Sequence, residues 1–134
     1  MVKRLKIGDS LTTSIKVTKE MFAQFEGEVV HPTYSTVSMV YHMEWVSRNL
    51  ILPYLEDGEE GMGAAVTVKH IAPSGLDSTV EVIAVVCEVS EREVVTEVTL
   101  KNEYGVIGVG EVKQVILPKE VIQKKLKKQD ASHA

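Results

Sequence analysis

The stretch YSTVSMVYHMEWVSRNLILP, residues 34–53, decides the fold. Wound as a helix at about 100° per residue, it gathers Ser38, His42 and Asn49 into one narrow polar arc. Val37, Met39, Val40, Tyr41, Met43, Trp45, Val46, Leu50, Ile51 and Leu52 take up almost all the rest. A helix apolar nearly all round is a buried helix. Thr33, Ser35 or Thr36 can cap its start, and Pro53 marks its end or a kink near it. Glu44 falls in the middle of the apolar arc, between Val37 and Ile51. An ionised carboxylate there is costly unless it is paired or reactive. Arg48 lies four residues on, the favourable order for an ion pair. From the helix alone, a structural pair and a reactive carboxylate both stand.

The chain after the helix reads as sheet. An acidic loop, Glu56-Asp57-Gly58-Glu59-Glu60-Gly61, is followed by a strand over 63–71, stopped by Pro73-Ser74-Gly75. Residues 78–89 are apolar at both alternating sets of positions, which suits a strand covered on both sides. Residues 93–101 alternate with one wetter face. Residues 106–117 form the last strand, with Gly108 and Gly110 marking a bend or a close approach. Short turns between these runs favour antiparallel hairpins. Before the helix, the β-branched residues 11–18 predict a first strand, and 21–31 read as a short helix or loop. One strand, one long helix, then several antiparallel strands is an α+β plan in which a curved sheet wraps the helix. The least-covered side of the helix then needs water or a second subunit. This is the plan of the hotdog fold, whose domains usually pair.

Composition narrows the function classes. At 134 residues the chain is expected to form one domain over 1–134, with residues 119–134 as a basic, partly frayed helical tail whose lysines are solvated. A hydrophobic share of 44% and a charged share of 25% are those of an ordinary globular protein. The net charge of −4 argues against a nucleic-acid partner. No run approaches the ~20 apolar residues of a membrane span, and no apolar signal core follows Lys6. A cytoplasmic protein without membrane contact is expected. The single cysteine, Cys87, lies in an apolar run and reads as a small core residue. No His, Cys or acidic spacing resembles a metal site, and no Gly-rich phosphate loop opens a helix. The nucleophile elbow Gly-x-Ser-x-Gly is missing, which excludes an α/β-hydrolase.

Three local patterns carry a resemblance. Thr36 is followed eight residues later by Met43-Glu44-Trp45 and then by Pro53-Tyr54-Leu55-Glu56. Residues 63–70, GAAVTVKH, form a strand ending in histidine. Gly110-Glu111 in the last strand is a weaker third. In this order and at these separations the chain resembles the hotdog-fold thioesterases, and among them the fluoroacetyl-CoA thioesterase family. The resemblance runs from about residue 11 to residue 123. It implies a catalytic group of Thr36, Glu44 and His70, with Gly63 near the acyl end. It also implies an acyl-CoA substrate, in which coenzyme A is part of the substrate and no cofactor is needed, and a homodimer. The family member selective for the fluorinated acyl group has an aromatic lid before the helix. Here the corresponding stretch is Val29-Val30-His31-Pro32. Val30 and His31 are therefore the substrate-contacting candidates at the pocket mouth, and a different short acyl group is expected.

Thioester hydrolysis needs an activated water or nucleophile, a polarised carbonyl and a route for the thiolate to leave. Glu44 can act as general base or nucleophile, the more strongly if its surround is apolar. His70 can shuttle a proton. Thr36 can hydrogen-bond the carboxylate or the acyl carbonyl, and the helix N-terminus offers backbone N–H groups to a developing oxyanion. If both are helical, Thr36 and Glu44 are about 12 Å apart along the axis. They share a site only if Thr36 lies in the entry loop or reaches across from a partner subunit. Each residue also has a plain structural role open to it: Thr36 as an N-cap, His70 as a strand-end histidine, Glu44 paired to Arg48. His42, on the polar arc, is expected to face solvent. A non-catalytic acyl-CoA binding or sensing module on the same fold is the alternative function. An enoyl-CoA hydratase ranks below it, because its loop motif is missing.

Overall fold

The computed structural model describes residues 4–131. Its elements run β1 (Ser10–Lys16), β2 (Phe22–Phe25), β3 (Glu28–Tyr34), α1 (Thr36–Ile51), β4 (Glu59–His70), β5 (Thr79–Val89), β6 (Glu93–Asn102), β7 (Gly105–Pro118) and α2 (Lys119–Ala131). Five strands form one antiparallel sheet in the order β1-β5-β6-β7-β4, and β2 pairs with β3 in a separate hairpin. The α+β hotdog architecture expected from the sequence is the one found: the sheet curves around α1. No helix among the described residues is long and apolar enough to cross a membrane.

The core lies between α1 and the sheet. Met39, Met43 and Val46 from the helix meet Val82, Ala84, Val98, Leu100, Ile107 and Val112 from the strands. Leu50 and Ile51 meet Val86, Val94 and Ile116 at the far end. Each fully buried methionine or isoleucine contributes about 1.5–3 kcal/mol of transfer free energy. Gly110 lets β7 come close to β4 and α1, since a Cβ there would run into the Thr67 carbonyl and Met43 Cε. Polar groups inside this core include a pair: Ser47 Oγ and Thr96 Oγ1, both fully buried, are 2.7 Å apart.

Three expectations need correction. Residues 21–31 hold the β2–β3 hairpin rather than a helix or an irregular loop. Its two-residue turn is Glu26-Gly27, both at positive φ (51° and 83°), the backbone a tight hairpin requires. Cys87 is half-buried on the sheet face turned away from α1, with its thiol pointing to the Val95 carbonyl at 3.4 Å. Burial first, and the carboxylates of Glu97, Glu111 and Glu88 after it, push the thiol pKa up. The third correction concerns the helix. His42 is buried at 5% exposure, while Val37 and Tyr41 from the apolar arc are 76% and 63% exposed. The polar arc packs under the hairpin, where Ser38 Oγ donates to the Met21 carbonyl and Tyr34 meets His42. The open side of α1 is an apolar one.

Residues 119–131 form α2, which leaves β7 directly. Val121 and Ile122 are half-buried and the lysines are exposed. The last part of the expected basic tail, residues 132–134, lies outside the described residues.

Tyr34 and His42 give the fold a pH signature. The Tyr34 hydroxyl is 2.6 Å from His42 Nδ1 and the rings stack at 5.8 Å. Burial holds the His42 pKa below its ordinary value and pushes that of Tyr34 up. A histidine whose folded pKa is depressed is protonated more readily in the unfolded chain. Its stabilising contribution is present above the unfolded value of about 6.5 and is lost as pH falls below it. Denaturant unfolding at fixed protein concentration should therefore give a higher midpoint at pH 7.5 than at pH 5.5. His42→Phe should flatten the difference. An equal pH dependence in both proteins would remove His42 as its source.

Candidate functional site

Ser35 is the residue that frees Thr36. Its side chain caps α1 by accepting from the Ser38 N–H at 3.0 Å, so Thr36, the first helical residue, is not needed as the cap. The Thr36 hydroxyl instead lies 2.8 Å from His70 Nδ1. His70 is the last residue of β4, set opposite Gly108 on β7 and half-buried. This contact spans 34 residues of sequence. It joins the entry of the helix to the exit of the edge strand. Either the threonine hydroxyl donates to Nδ1 or the ring N–H donates to the hydroxyl; both fix the ring and leave Nε2 as the working nitrogen.

Thr36 also borders a cleft of about 370 Å³ under the hairpin, together with Val30, His31, Phe22, Phe25 and Val37. The two mouth candidates, Val30 and His31, are thus brought to the same cleft as Thr36. Phe25 was missed in the sequence. It sits next to the hairpin turn, 72% exposed, so an aromatic does stand beside the cleft although residues 29–32 hold no Phe, Tyr or Trp. The Glu26-Gly27 turn was the available signal, because it makes residues 22–34 a two-stranded flap.

Glu44 lies elsewhere. Two turns down α1 from Thr36, its carboxylate rests against Gly63 of β4. A Cβ on Gly63 would meet Glu44 Oε1 at 2.7 Å, so the glycine is what lets the carboxylate lie on the strand. Tyr41, Trp45, Arg48, Val112 and Gln114 complete a second cleft around it, of about 290 Å³. Glu44 is exposed in the single chain, so the apolar surround foreseen for it is open on one side. Arg48 does not pair with it. The guanidinium bonds Glu60 Oε1 at 2.8 Å and the Gly61 carbonyl at 3.0 Å, and this hydrogen bond holds the Glu60 pKa below its ordinary value. The acidic loop that follows the helix supplies the partner that i,i+4 spacing had assigned to Glu44.

Of the residues foreseen, the structure joins Thr36 to His70, sets Val30 and His31 in the cleft that Thr36 borders, and separately joins Glu44 to Gly63. It does not bring Glu44 to the other two within one chain. Away from both clefts, Cys87, Glu97 and Glu111 set their ligand atoms within 4.8 Å of one another on the outer face of the sheet, the one such grouping among the described residues.

A curved antiparallel sheet wrapped around one long helix places the chain in the hotdog class. Comparison with known proteins agrees. A Thermus thermophilus protein described as a thioesterase superfamily member superposes with a TM-score of 0.87 at 39% identity, over 95% of this chain and 96% of that one. The fluoroacetyl-CoA thioesterase FlK superposes with a TM-score of 0.85 at 25% identity, over 92% and 96% of the two chains. The fluoroacetyl-CoA thioesterase of Streptantibioticus cattleyicolor is 31% identical over 94 residues, 70% of this chain and 68% of that protein. The family model for the fluoroacetyl-CoA-specific thioesterase matches residues 17–120. The chain belongs to this family, and it is a thioester hydrolase.

Gly63 gives a direct test of where Glu44 must lie. The atom that a new methyl group would meet is the end of a flexible side chain, which can swing aside. Gly63→Ala should therefore fold with nearly unchanged thermal stability while kcat falls about tenfold or more, as expected when a reacting group is displaced by an ångström or so. Thermal unfolding and steady-state kinetics on the one preparation separate the two effects. Unchanged kcat would show that the contact with Gly63 is incidental.

Proposed function

We propose that the protein hydrolyses a short acyl-CoA to the free acid and coenzyme A, as a homodimer whose sites each combine two subunits. The observation that carries this reading is the separation of Glu44 from the Thr36–His70 pair within one chain. A related FlK structure that holds fluoroacetate and CoA supports the substrate class.

The pairing follows from the edge strand. β4 closes one end of the sheet, so its outer row of backbone groups is unpaired, and beside it α1 exposes Val37, Tyr41 and Trp45. An open strand edge flanked by an apolar helix face is a template for a second copy. On β7, Gln114 stands opposite Gly63 and Gly108 opposite His70, while a bulge follows Gly63. Gly63 and His70 therefore face the same side of the sheet, about 20 Å apart. An antiparallel pair of β4 strands centred on Thr67 sets Gly63 of one subunit opposite the partner's His70. Glu44, lying on Gly63, then meets the partner's Thr36–His70 pair, and the exposed helix face is covered.

In that site the thioester carbonyl lies between Glu44 and the histidine. Glu44 takes a proton from water, whose oxygen forms the new bond to the carbonyl carbon, or attacks that carbon itself and is later released by water. The Thr36 and Val37 N–H groups at the start of α1, which no intrahelical acceptor takes, face the developing oxyanion. As the carbon–sulfur bond breaks, His70 delivers a proton to the departing thiolate. Thr36 holds the histidine ring in the required orientation.

Thiol release from a panel of short acyl-CoA esters tests the reading. The wild type should release thiol, Glu44→Gln and His70→Ala should each lose about a hundredfold or more in kcat, and Thr36→Ala should lose less. The wild type should also sediment at twice the chain mass. CoA-ester binding without release would instead identify a binding or sensing module, and full activity in Glu44→Gln would take Glu44 out of the mechanism.

A further inference from the structure

Gln114 is a buried polar residue that neither the fold nor the steps above use. It projects from β7 toward α1, is 4% exposed, and its Nε2 has no hydrogen-bond partner among the described residues. Native interiors carry few such orphaned groups, and each calls for an explanation. Its position supplies one. Gln114 is the cross-strand neighbour of Gly63, on which the Glu44 carboxylate lies, and it lines the same cleft as Glu44, Trp45 and Val112.

We propose that Gln114 is a specificity-determining residue of this site, and that its amide takes the hydroxyl of a short hydroxyacyl group. The inference rests on the thioesterase reading above. With the carbonyl carbon held at Glu44, one to three further carbons of the acyl group extend toward the cleft floor. Trp45 and Val112 give the cleft its apolar lining, and of its polar side chains, Tyr41, Glu44, Arg48 and Gln114, Gln114 is the buried one. Rotation about the terminal torsion of a glutamine exchanges its N–H and C=O ends, so the amide presents either a donor or an acceptor. A hydroxyl both donates and accepts, and it satisfies either end. An alkyl chain leaves the amide unpaired. A free carboxylate on the acyl group would lie against Glu44, like charge against like. Arg48, the cation of this cleft, is already bonded to Glu60 and the Gly61 carbonyl. The pocket therefore selects a neutral acyl group carrying one hydroxyl, and the substrate must come from a reaction that generates a hydroxyacyl-CoA.

The test compares kcat/KM for esters of equal heavy-atom count: glycolyl-CoA against propionyl-CoA, and 3-hydroxypropionyl-CoA against butyryl-CoA. The wild type should favour the hydroxylated member of at least one pair by about tenfold, the worth of one neutral hydrogen bond in a closed site. Gln114→Leu and Gln114→Met should lose that preference or reverse it, falling further on the hydroxylated ester than on the alkyl one. Both variants remove an unpaired buried amide, so neither should lower the thermal midpoint. Equal rates on both members in the wild type would overturn the proposal. So would an equal fall on both in the variants, which would make Gln114 a support for Glu44 alone. No thiol release from any ester in the wild type is a different result, and it would overturn the thioesterase reading itself.

Discussion

Eight residues of one rigid helix separate Thr36 from Glu44, and the rest of the structure turns on that separation. At 1.5 Å per residue the two lie about 12 Å apart along the axis. Both belong to α1, Thr36 as its first residue, because Ser35 takes the capping role. No side-chain rotation closes such a gap. A site that needs both groups must draw them from two helices, and the chain has one long helix of this kind. The chemistry and the assembly are therefore one problem. What lets Glu44 lie on Gly63, and what leaves Val37 and Tyr41 uncovered beside a free strand edge, are parts of the same arrangement.

The hydrophobic pattern of α1 calls for more coverage than the single chain provides. Periodicity identified a helix to be wrapped nearly all round, and its length and place in the chain were legible for that reason. Which arc the sheet covers was not. His42 was assigned to solvent because polar residues usually go there, yet it meets Tyr34 under the hairpin, beside Ser38, which donates to the Met21 carbonyl. Those partners come from a flap whose strands are short and whose turn, Glu26-Gly27, is a weaker signal than Asn-Gly or Asp-Gly. The long strands β5, β6 and β7 were plain, since β-branched runs of about ten residues bounded by turn residues admit few other readings.

The site was legible to a different degree at each residue. His70 and Thr36 were identified through the resemblance, and their 2.8 Å contact is a tertiary fact that no local pattern contains. Arg48 looked like the partner of Glu44 because i,i+4 spacing is the only geometry a sequence displays. The tertiary competitor, Glu60, comes from the strand that folds back alongside the helix, where it also accepts from the Gly61 N–H. Releasing Glu44 from Arg48 leaves its carboxylate available for chemistry. Gln114 gave no signal at all: a single glutamine in an alternating strand is unremarkable until the register sets it opposite Gly63.

The central claim is that each active site is shared, and mixed dimers test it most directly. Glu44→Gln and His70→Ala subunits, each inactive alone, would be unfolded together, refolded and assayed for thiol release. If Glu44 works with the partner's His70, a mixed dimer holds one intact site and one doubly defective site, and random pairing restores about a quarter of wild-type activity. If both residues act within one subunit, every site keeps a defect, and the mixture stays as inactive as its components.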